Sequence, residues 1–345
     1  MKNHKIANAS VFATMMVVGI HTAGRWLGDD ALGSALWFWE TWGYFGVFLI
    51  AVPFFFVCSG FFLAAHMEET GWWYRECLKR VRTLVVPYII WSLAYAFLPL
   101  TMEFAANIMH GKIAIPQTDF GLRFLIDTMG LSPFRLPRHY SLWYLRTLII
   151  FVVLSPIFLF LIRKFGKWYL ATLFFASLAV GAYRVYAPSS RFGLFFTECF
   201  QLQGLFFFCC GIYGRMNNIR LPNKGHCIAL LVGVGVIAVS VLGRVRFGEN
   251  FLPAARILFV PLFLFGLWRF VPERPFPKLI TGATFAVYVI HALVFLTIRC
   301  ACPFQIETIS QWFGKWAIGF FGSVAITHIM RLRWPKAASL LFGGR

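Results

Sequence analysis

Two histidines stand where an apolar chain has little reason to keep them. His21 closes the run MMVVGIH, and His291 sits in the middle of FAVYVIHALVF. An ionisable group inside a bilayer is costly, and its presence there points first to function. Imidazole is the side chain whose proton comes and goes near neutral pH. At His21 the chemistry on offer is general-base catalysis or nucleophilic group transfer; the alternative is a core histidine bonded to a backbone carbonyl. His291 follows Tyr288 by three residues, so the two share a helix face. Hydrogen bonding from helix to helix is the simpler role for it.

A second kind of chemistry resides in Lys79-Arg80-Val81-Arg82, which leads directly into Pro87-Tyr88-Ile89-Ile90-Trp91. Arginine forks bind phosphate through paired N–H groups, and lysine adds a point charge. Such a cluster suits an anionic cosubstrate such as an acyl-CoA; it equally suits simple anchoring at the cytoplasmic face of a membrane. Ser59-Gly60 is a small pair that lets two helices approach closely or lets a substrate approach the backbone. Arg146 and Glu198 open two other apolar segments, where pairing or, more simply, snorkelling to the interface is expected. The eight cysteines show no zinc spacing and read as small packed hydrophobes, Cys300 and Cys302 being too close for an unstrained disulfide. There is no phosphate-binding glycine loop, no His-x-x-x-x-Asp signature, no nucleophile elbow and no carboxylate pair within a span. Transfer from ATP and carboxylate-driven ion pumping therefore lose support, and no metal is expected.

These groups must be positioned by helices in lipid. Of the 345 residues 59% are hydrophobic and only 13% charged, with a mean hydropathy of +0.72. A soluble domain carries about 25% charged residues. The net charge of +19 would suggest nucleic acid if it formed one patch, but the basic residues punctuate apolar runs, so no nucleic-acid partner is expected. The lipid bilayer is the partner instead. The fold class expected is an all-α polytopic membrane protein, a bundle of about ten transmembrane helices with both termini cytoplasmic. The estimated spans are 6–24, 43–65, 83–106, 141–162, 169–187, 195–214, 227–243, 252–269, 280–299 and 313–331. Alternate connections differ in basic residues by roughly two to one. The richer set holds Lys2, Lys5, Arg75, Lys79, Arg80, Arg82, Arg163, Lys164, Lys167, Arg215, Arg220, Lys224, Arg269, Arg274, Lys278, Arg331, Arg333, Lys336 and Arg345; the poorer holds Arg25, Lys112, Arg123, Arg135, Arg138, Arg191, Arg244, Arg246 and Lys315. A cleaved signal peptide is not expected, since no small-residue cleavage site follows the first apolar run. The longest connection, near 107–140, contains Pro116, Pro133 and Pro137, with room for a short helix around Phe120–Met129. With no repeat and no second domain in view, any chemistry belongs inside the bundle.

The order of the motifs resembles the acyltransferase family 3 membrane proteins, the bacterial O-acyltransferases of surface polysaccharides. The resemblance runs through Val17-Val18-Gly19-Ile20-His21-Thr22, then Val52-Pro53-Phe54-Phe55-Phe56-Val57-Cys58-Ser59-Gly60-Phe61-Phe62-Leu63, the most specific piece. It continues with Pro87-Tyr88-Ile89-Ile90-Trp91-Ser92, Leu142-Trp143-Tyr144-Leu145, Gln203-Gly204-Leu205-Phe206-Phe207 and Val287-Tyr288-Val289-Ile290-His291. It implies a single membrane acyltransferase-like domain over 1–345, in the bacterial cytoplasmic (inner) membrane. The implied activity moves an acyl group, by family habit acetyl, from cytoplasmic acyl-CoA (acetyl-CoA) to a hydroxyl of a glycan or lipid-linked sugar. His21 matches the family's first-span histidine, as general base or acyl carrier, and Lys79 and Arg82 match its basic pair, with Arg80 between them as a further CoA contact. Ser59, Trp143, Tyr144, Tyr288 and His291 are the residues expected to line the channel or stabilise an oxyanion. The chain departs from the pattern at Ser10, where the family often has Arg, about 16 Å of helix below the histidine; Lys5 is a partial substitute. It departs again at Ser141, where His often precedes Leu-Trp. Two competing readings are a transporter of a small polar metabolite or amino acid without acyl transfer, and a non-catalytic scaffold or sensor, for which the absent Arg at Ser10 is the best support.

Overall fold

The structure, a computed structural model, describes residues 4–22, 34–44, 46–109, 121–131, 137, 140–247, 251–301, 306 and 308–344, with 99–109, 140, 244–247, 251–254 and 299–301 described by backbone alone. Lys2, Arg25, Lys112, Pro116, Pro133, Arg135, Arg138, His139 and Cys302 lie outside the described residues.

All described elements are helical. They are α1 His4–Thr22, α2 Ala35–Tyr44, α3 Ala51–Ala64, α4 Trp72–Arg80, α5 Val86–Met109, α6 Leu122–Thr128, α7 Trp143–Phe165, α8 Lys167–Tyr186 and α9 Arg191–Leu194. There follow α10 Leu202–Met216, α11 His226–Phe247, α12 Phe251–Trp268, α13 Lys278–Thr281, α14 Thr284–Ala301, α15 Ile309–Ala317, α16 Ser323–Arg333 and α17 Pro335–Leu341. The short helix expected in the long connection is α6.

The expectation of about ten spans is corrected. Among the described residues six helical stretches are long and apolar enough to cross a membrane: Ala35–Ala64, Trp72–Leu98, Trp143–Phe165, Lys167–Tyr186, Arg191–Met216 and His226–Gly243. Two further apolar stretches, Ala255–Trp268 and Thr284–Ile298, are shorter among the residues whose side chains are described. In α1 the polar residues His4, Lys5, Asn8, Ser10, Thr14 and His21 dilute the apolar run, and Gln311, Lys315, His328, Arg331 and Arg333 do the same in α15 and α16. Counting apolar runs in the sequence passed over the polar residues inside α1, α15 and α16.

Small residues lock the centre of the bundle. Gly60 of α3 and Gly211 of α10 face each other so closely that a Cβ on Gly60 would collide with the Phe208 carbonyl oxygen, and one on Gly211 with that of Val57. This is the close approach that Ser59-Gly60 predicts. Around the seam Phe56, Phe151 and Phe208, all buried, form an aromatic core with centroid separations of 5.4 and 5.5 Å.

Among the described residues there are three single-turn π-helices, Val81–Val85, Phe195–Cys199 and Ile318–Gly322; the first and last lie within continuous helices, and the second extends α9. The first precedes Pro87, which has no N–H to give the Thr83 carbonyl, so a wider turn there costs little. The second ends in a true break: Gln201 is left-handed (φ 57°), and α10 restarts after it. Arg146 repairs the break. Its guanidinium is buried and donates to the carbonyls of Cys199 and Gly130, both at 2.7 Å. The snorkelling expected of Arg146 is thus corrected: two orphaned carbonyls hold it inside. Glu198 pairs instead with Arg184 at 2.8 Å.

Two tethers set the rotation of α1. Asn8, fully buried, donates to Pro272 O (2.7 Å) and Arg274 O (2.8 Å) and accepts from Phe276 N–H. At the other end, Lys315 donates to Thr22 O at 2.9 Å, a cation on the negative end of the helix. Between them Val11 and Val18 pack with Val287, Phe295 and Phe320.

Candidate active site

His21 lies one residue from the end of α1 and is half-buried. With α1 held at both ends, its ring faces His291 of α14, centroids 5.1 Å apart and planes tilted by 36°. His291 is fully buried, with Nδ1 3.0 Å from Val287 O one turn back. The Tyr288 ring lies 6.4 Å from His291, and its hydroxyl donates to Ser141 O. Tyr288 meets Tyr144 edge to face at 5.9 Å, and Tyr144 Oη is 3.2 Å from Ser59 Oγ. Five residues from α1, α14, α7 and α3 therefore form one file: His21, His291, Tyr288, Tyr144, Ser59.

The file runs lengthwise through the bundle. Gly19 of α1 lies against Phe48, whereas Ala9, Ala13 and Met16 share a groove with Ile50, Ala51 and Phe54. Going down α1 thus corresponds to going up α3, and the two helices are antiparallel. Ser59, beyond Phe54, lies toward the end where α1 begins; His21 lies toward the other. Trp143 stands beside the file, its ring 6.3 Å from Phe56 and 6.4 Å from Tyr144. Next to the histidines the Lys315 ammonium lies 5.3 Å over the Phe295 ring, which is 6.0 Å from His291.

The basic trio belongs to another part of the molecule. Trp73 of α4 donates to Val153 O, nine residues and about 14 Å along α7 from Tyr144. Lys79 and Arg80 end α4, and Arg82 sits in the π-turn that follows. Glu76, buried among them, holds Arg80 at 2.5 Å and Lys79 at 3.5 Å. Lys79 and Arg82 remain exposed. Among the described residues no group of three or more His, Cys, Asp or Glu side chains is placed to hold a metal ion.

Comparison with known proteins gives the bundle its family: an acyltransferase-domain profile matches residues 8–331. The chain belongs to acyltransferase family 3. It is 23% identical over 207 residues to the succinoglycan biosynthesis protein ExoH of Rhizobium meliloti (strain 1021), covering 57% of this chain and 48% of that protein. The chain thus spans about half the length of this curated relative. No solved structure matches it.

In this family 3 acyltransferase the five polar residues singled out in the spans come together, and the three basic ones cluster apart. Sequence reading assigns no role to Glu76, to the Ser141 carbonyl or to Lys315. Glu76 lies three and four residues before Lys79 and Arg80, a spacing that signals helical ion pairs and could have found it. Ser141 contributes a backbone oxygen, for which no side-chain signal exists. Lys315 was visible only as a loop cation, since nothing local ties it to Thr22.

Proposed function

We propose that this protein transfers an acyl group, acetyl by family habit, from cytoplasmic acyl-CoA to a hydroxyl of a cell-envelope glycan in the bacterial inner membrane. The observation that carries the proposal is the contact between His21 and His291 at one end of the polar file. A family 3 acyltransferase needs a proton acceptor inside its bundle, and this pair supplies imidazole nitrogens there. Family membership supports the transferase reaction. The glycan acceptor rests on the name of the relative, which places that protein in succinoglycan biosynthesis.

In this reading Lys79 and Arg82, exposed on the basic turn, bind the CoA phosphates. Arg80 supports them from its pair with Glu76. The pantetheine arm extends along the file past Ser59, Tyr144 and Tyr288, whose hydroxyls and rings provide a polar lining, with Trp143 at its side. At the far end His21 acts on the reacting atoms. As base it takes the proton of the acceptor hydroxyl while that oxygen attacks the thioester carbon. The C–S bond breaks, and the leaving thiolate receives the proton as free CoA thiol. Lysine and arginine cover the phosphate charge at one end, and Lys315 adds a fixed positive charge near the other, where the oxyanion develops.

The test is transfer of radiolabelled acetyl from acetyl-CoA in membranes holding either the native chain or His21→Ala. Label is expected in a glycan fraction with the native chain, and about 100- to 10,000-fold less with the variant. Full transfer by His21→Ala would sink the assignment. Substrate uptake into proteoliposomes lacking acyl-CoA, with no transfer, would replace it with a transporter.

A further inference from the structure

The His291 ring has two nitrogens in different situations. Nδ1 lies 3.0 Å from the carbonyl oxygen of Val287. A carbonyl only accepts, so Nδ1 carries the hydrogen, and in the neutral ring Nε2 is left with a lone pair. That Nε2 is buried and has no hydrogen-bond partner. Orphaned buried polar atoms are rare in folded proteins and call for an explanation. A histidine kept only to bind Val287 O would cost a buried acceptor for the sake of one local bond; asparagine could make the same bond.

The neighbouring imidazole supplies the explanation. The His21 and His291 centroids are 5.1 Å apart. Face-stacked rings would be closer. Two imidazoles joined end to end by an N–H···N bond of ordinary length have centroids about 5 Å apart, one N···N separation plus the two distances from ring centre to nitrogen. A turn of the His21 ring about its terminal torsion, which is soft for histidine, closes that bond from the observed 36° tilt while His291 keeps its bond to Val287. Catalytic hydrogen bonds commonly tighten only with substrate in place. His291 is inaccessible, whereas His21 is half-buried, so His21 is the ring that substrate can reach.

We infer that His21 and His291 form a histidine dyad in which His291 Nε2 accepts the N–H of His21, fixes its tautomer, and leaves the other His21 nitrogen as the base. His291 is then a positioning residue, acting through His21. The chain of control is explicit: the Val287 carbonyl sets the tautomer of His291, and His291 sets that of His21. The same logic orients metal-binding histidines through the partner of their second nitrogen. When His21 takes the acceptor's proton it becomes an imidazolium with two N–H groups, one of which stays on His291 Nε2. No further proton acceptor is needed, and the thiolate later removes the proton that was gained. This inference rests on the acyl-transfer reading for its kinetic consequence, but not for its structural one.

Two variants separate the nitrogens. His291→Asn keeps an N–H where Nδ1 was and loses the acceptor at Nε2. His291→Gln places a carbonyl oxygen near Nε2 and loses the bond to Val287. With full-length protein in lipid nanodiscs, His291→Asn is expected to lose kcat by about 100-fold with KM within about threefold. His291→Gln is expected to retain about a tenth or more of the native kcat. Variants are compared only where size-exclusion profile and melting temperature match the native protein. The inference is overturned if the Asn variant equals or exceeds the Gln variant, or if both keep the native rate. An activity-free arm uses 15N-labelled histidine and magnetic resonance, with ring signals assigned through His21→Ala and His291→Gln. It should show His291 protonated at Nδ1 alone, and a single His21 tautomer that becomes mixed in His291→Asn. A His291 protonated at Nε2, or a His21 already averaged in the native protein, overturns the dyad whatever the activity. If no acyl donor supports transfer by the native chain while the ring signals come out as expected, the dyad stands and the acyl-transfer reading fails.

Discussion

Two helix contacts in this protein solve opposite problems. Where α3 meets α10, Gly60 and Gly211 bring backbone against backbone, and the surrounding residues are phenylalanines packed at ordinary aromatic distances. Where α1 meets α14, two imidazoles face each other, one with an unsatisfied nitrogen. Lipid is as apolar as a leucine core, so helices in it gain little from hiding apolar surface and gain instead from close fit and polar bonds. The first contact is all fit. The second gives up satisfaction for chemistry. What makes the second affordable is that α1 is held elsewhere, by Asn8 on the Pro272 and Arg274 carbonyls and by Lys315 on Thr22 O.

If the two contacts divide labour in this way, their variants must fail differently. The largest effect is expected at His21: His21→Ala should lose about 100- to 10,000-fold in transfer yet melt within about 1 kcal/mol of the native protein in detergent. A large loss of stability would erase the contrast. Gly60→Leu should do the reverse, losing about 3 kcal/mol or failing to accumulate, because its side chain would run into the Phe208 carbonyl; thermal melts and membrane yield read this directly. Tyr144→Phe removes the bond to Ser59 in the middle of the file and should cost about 1 kcal/mol of stability. If it also reduces transfer more than about tenfold, the file serves the reaction along its whole length.

The smallest effect lies outside both contacts, in the connection after α3. Glu69 accepts from His66 and is approached by Arg75 at 2.9 Å, and these partners hold its carboxyl below the usual carboxylate range, the His66 bond first. A lowered folded-state pKa contributes stability above the unfolded value, and that contribution is lost as pH falls through the folded one. A slight decline in melting temperature between about pH 5 and about pH 3 is expected, and Glu69→Gln should abolish it. Glu69 is exposed, so the decline is small and screened by salt.

Much of this was legible in the sequence. Low charge and long apolar runs specify helices in lipid, because a hydrogen-bonded backbone and an apolar surface are local properties of a segment. His21 and the Ser59-Gly60 pair stood out because each breaks a local pattern, and the order of motifs carried the family. The number of spanning helices was overestimated because long apolar runs drew more weight than Asn8, Ser10 and Thr14, which dilute α1. Nor was the fate of charged groups. Arg146 looked like a snorkelling residue until the fold brought the carbonyls of Cys199 and Gly130 to its guanidinium.

The sequence by itself determined the solvent, the helical class, the family and the residue types available for catalysis, since all of these follow from composition and short-range spacing. Tertiary structure alone decided which groups meet. His21 and His291 belong to segments near opposite ends of the chain, and only the rotation of α1, fixed by Asn8 and Lys315, turns one ring toward the other. A histidine's chemistry depends on what its second nitrogen touches, and that is a property of packed helices rather than of any stretch of residues.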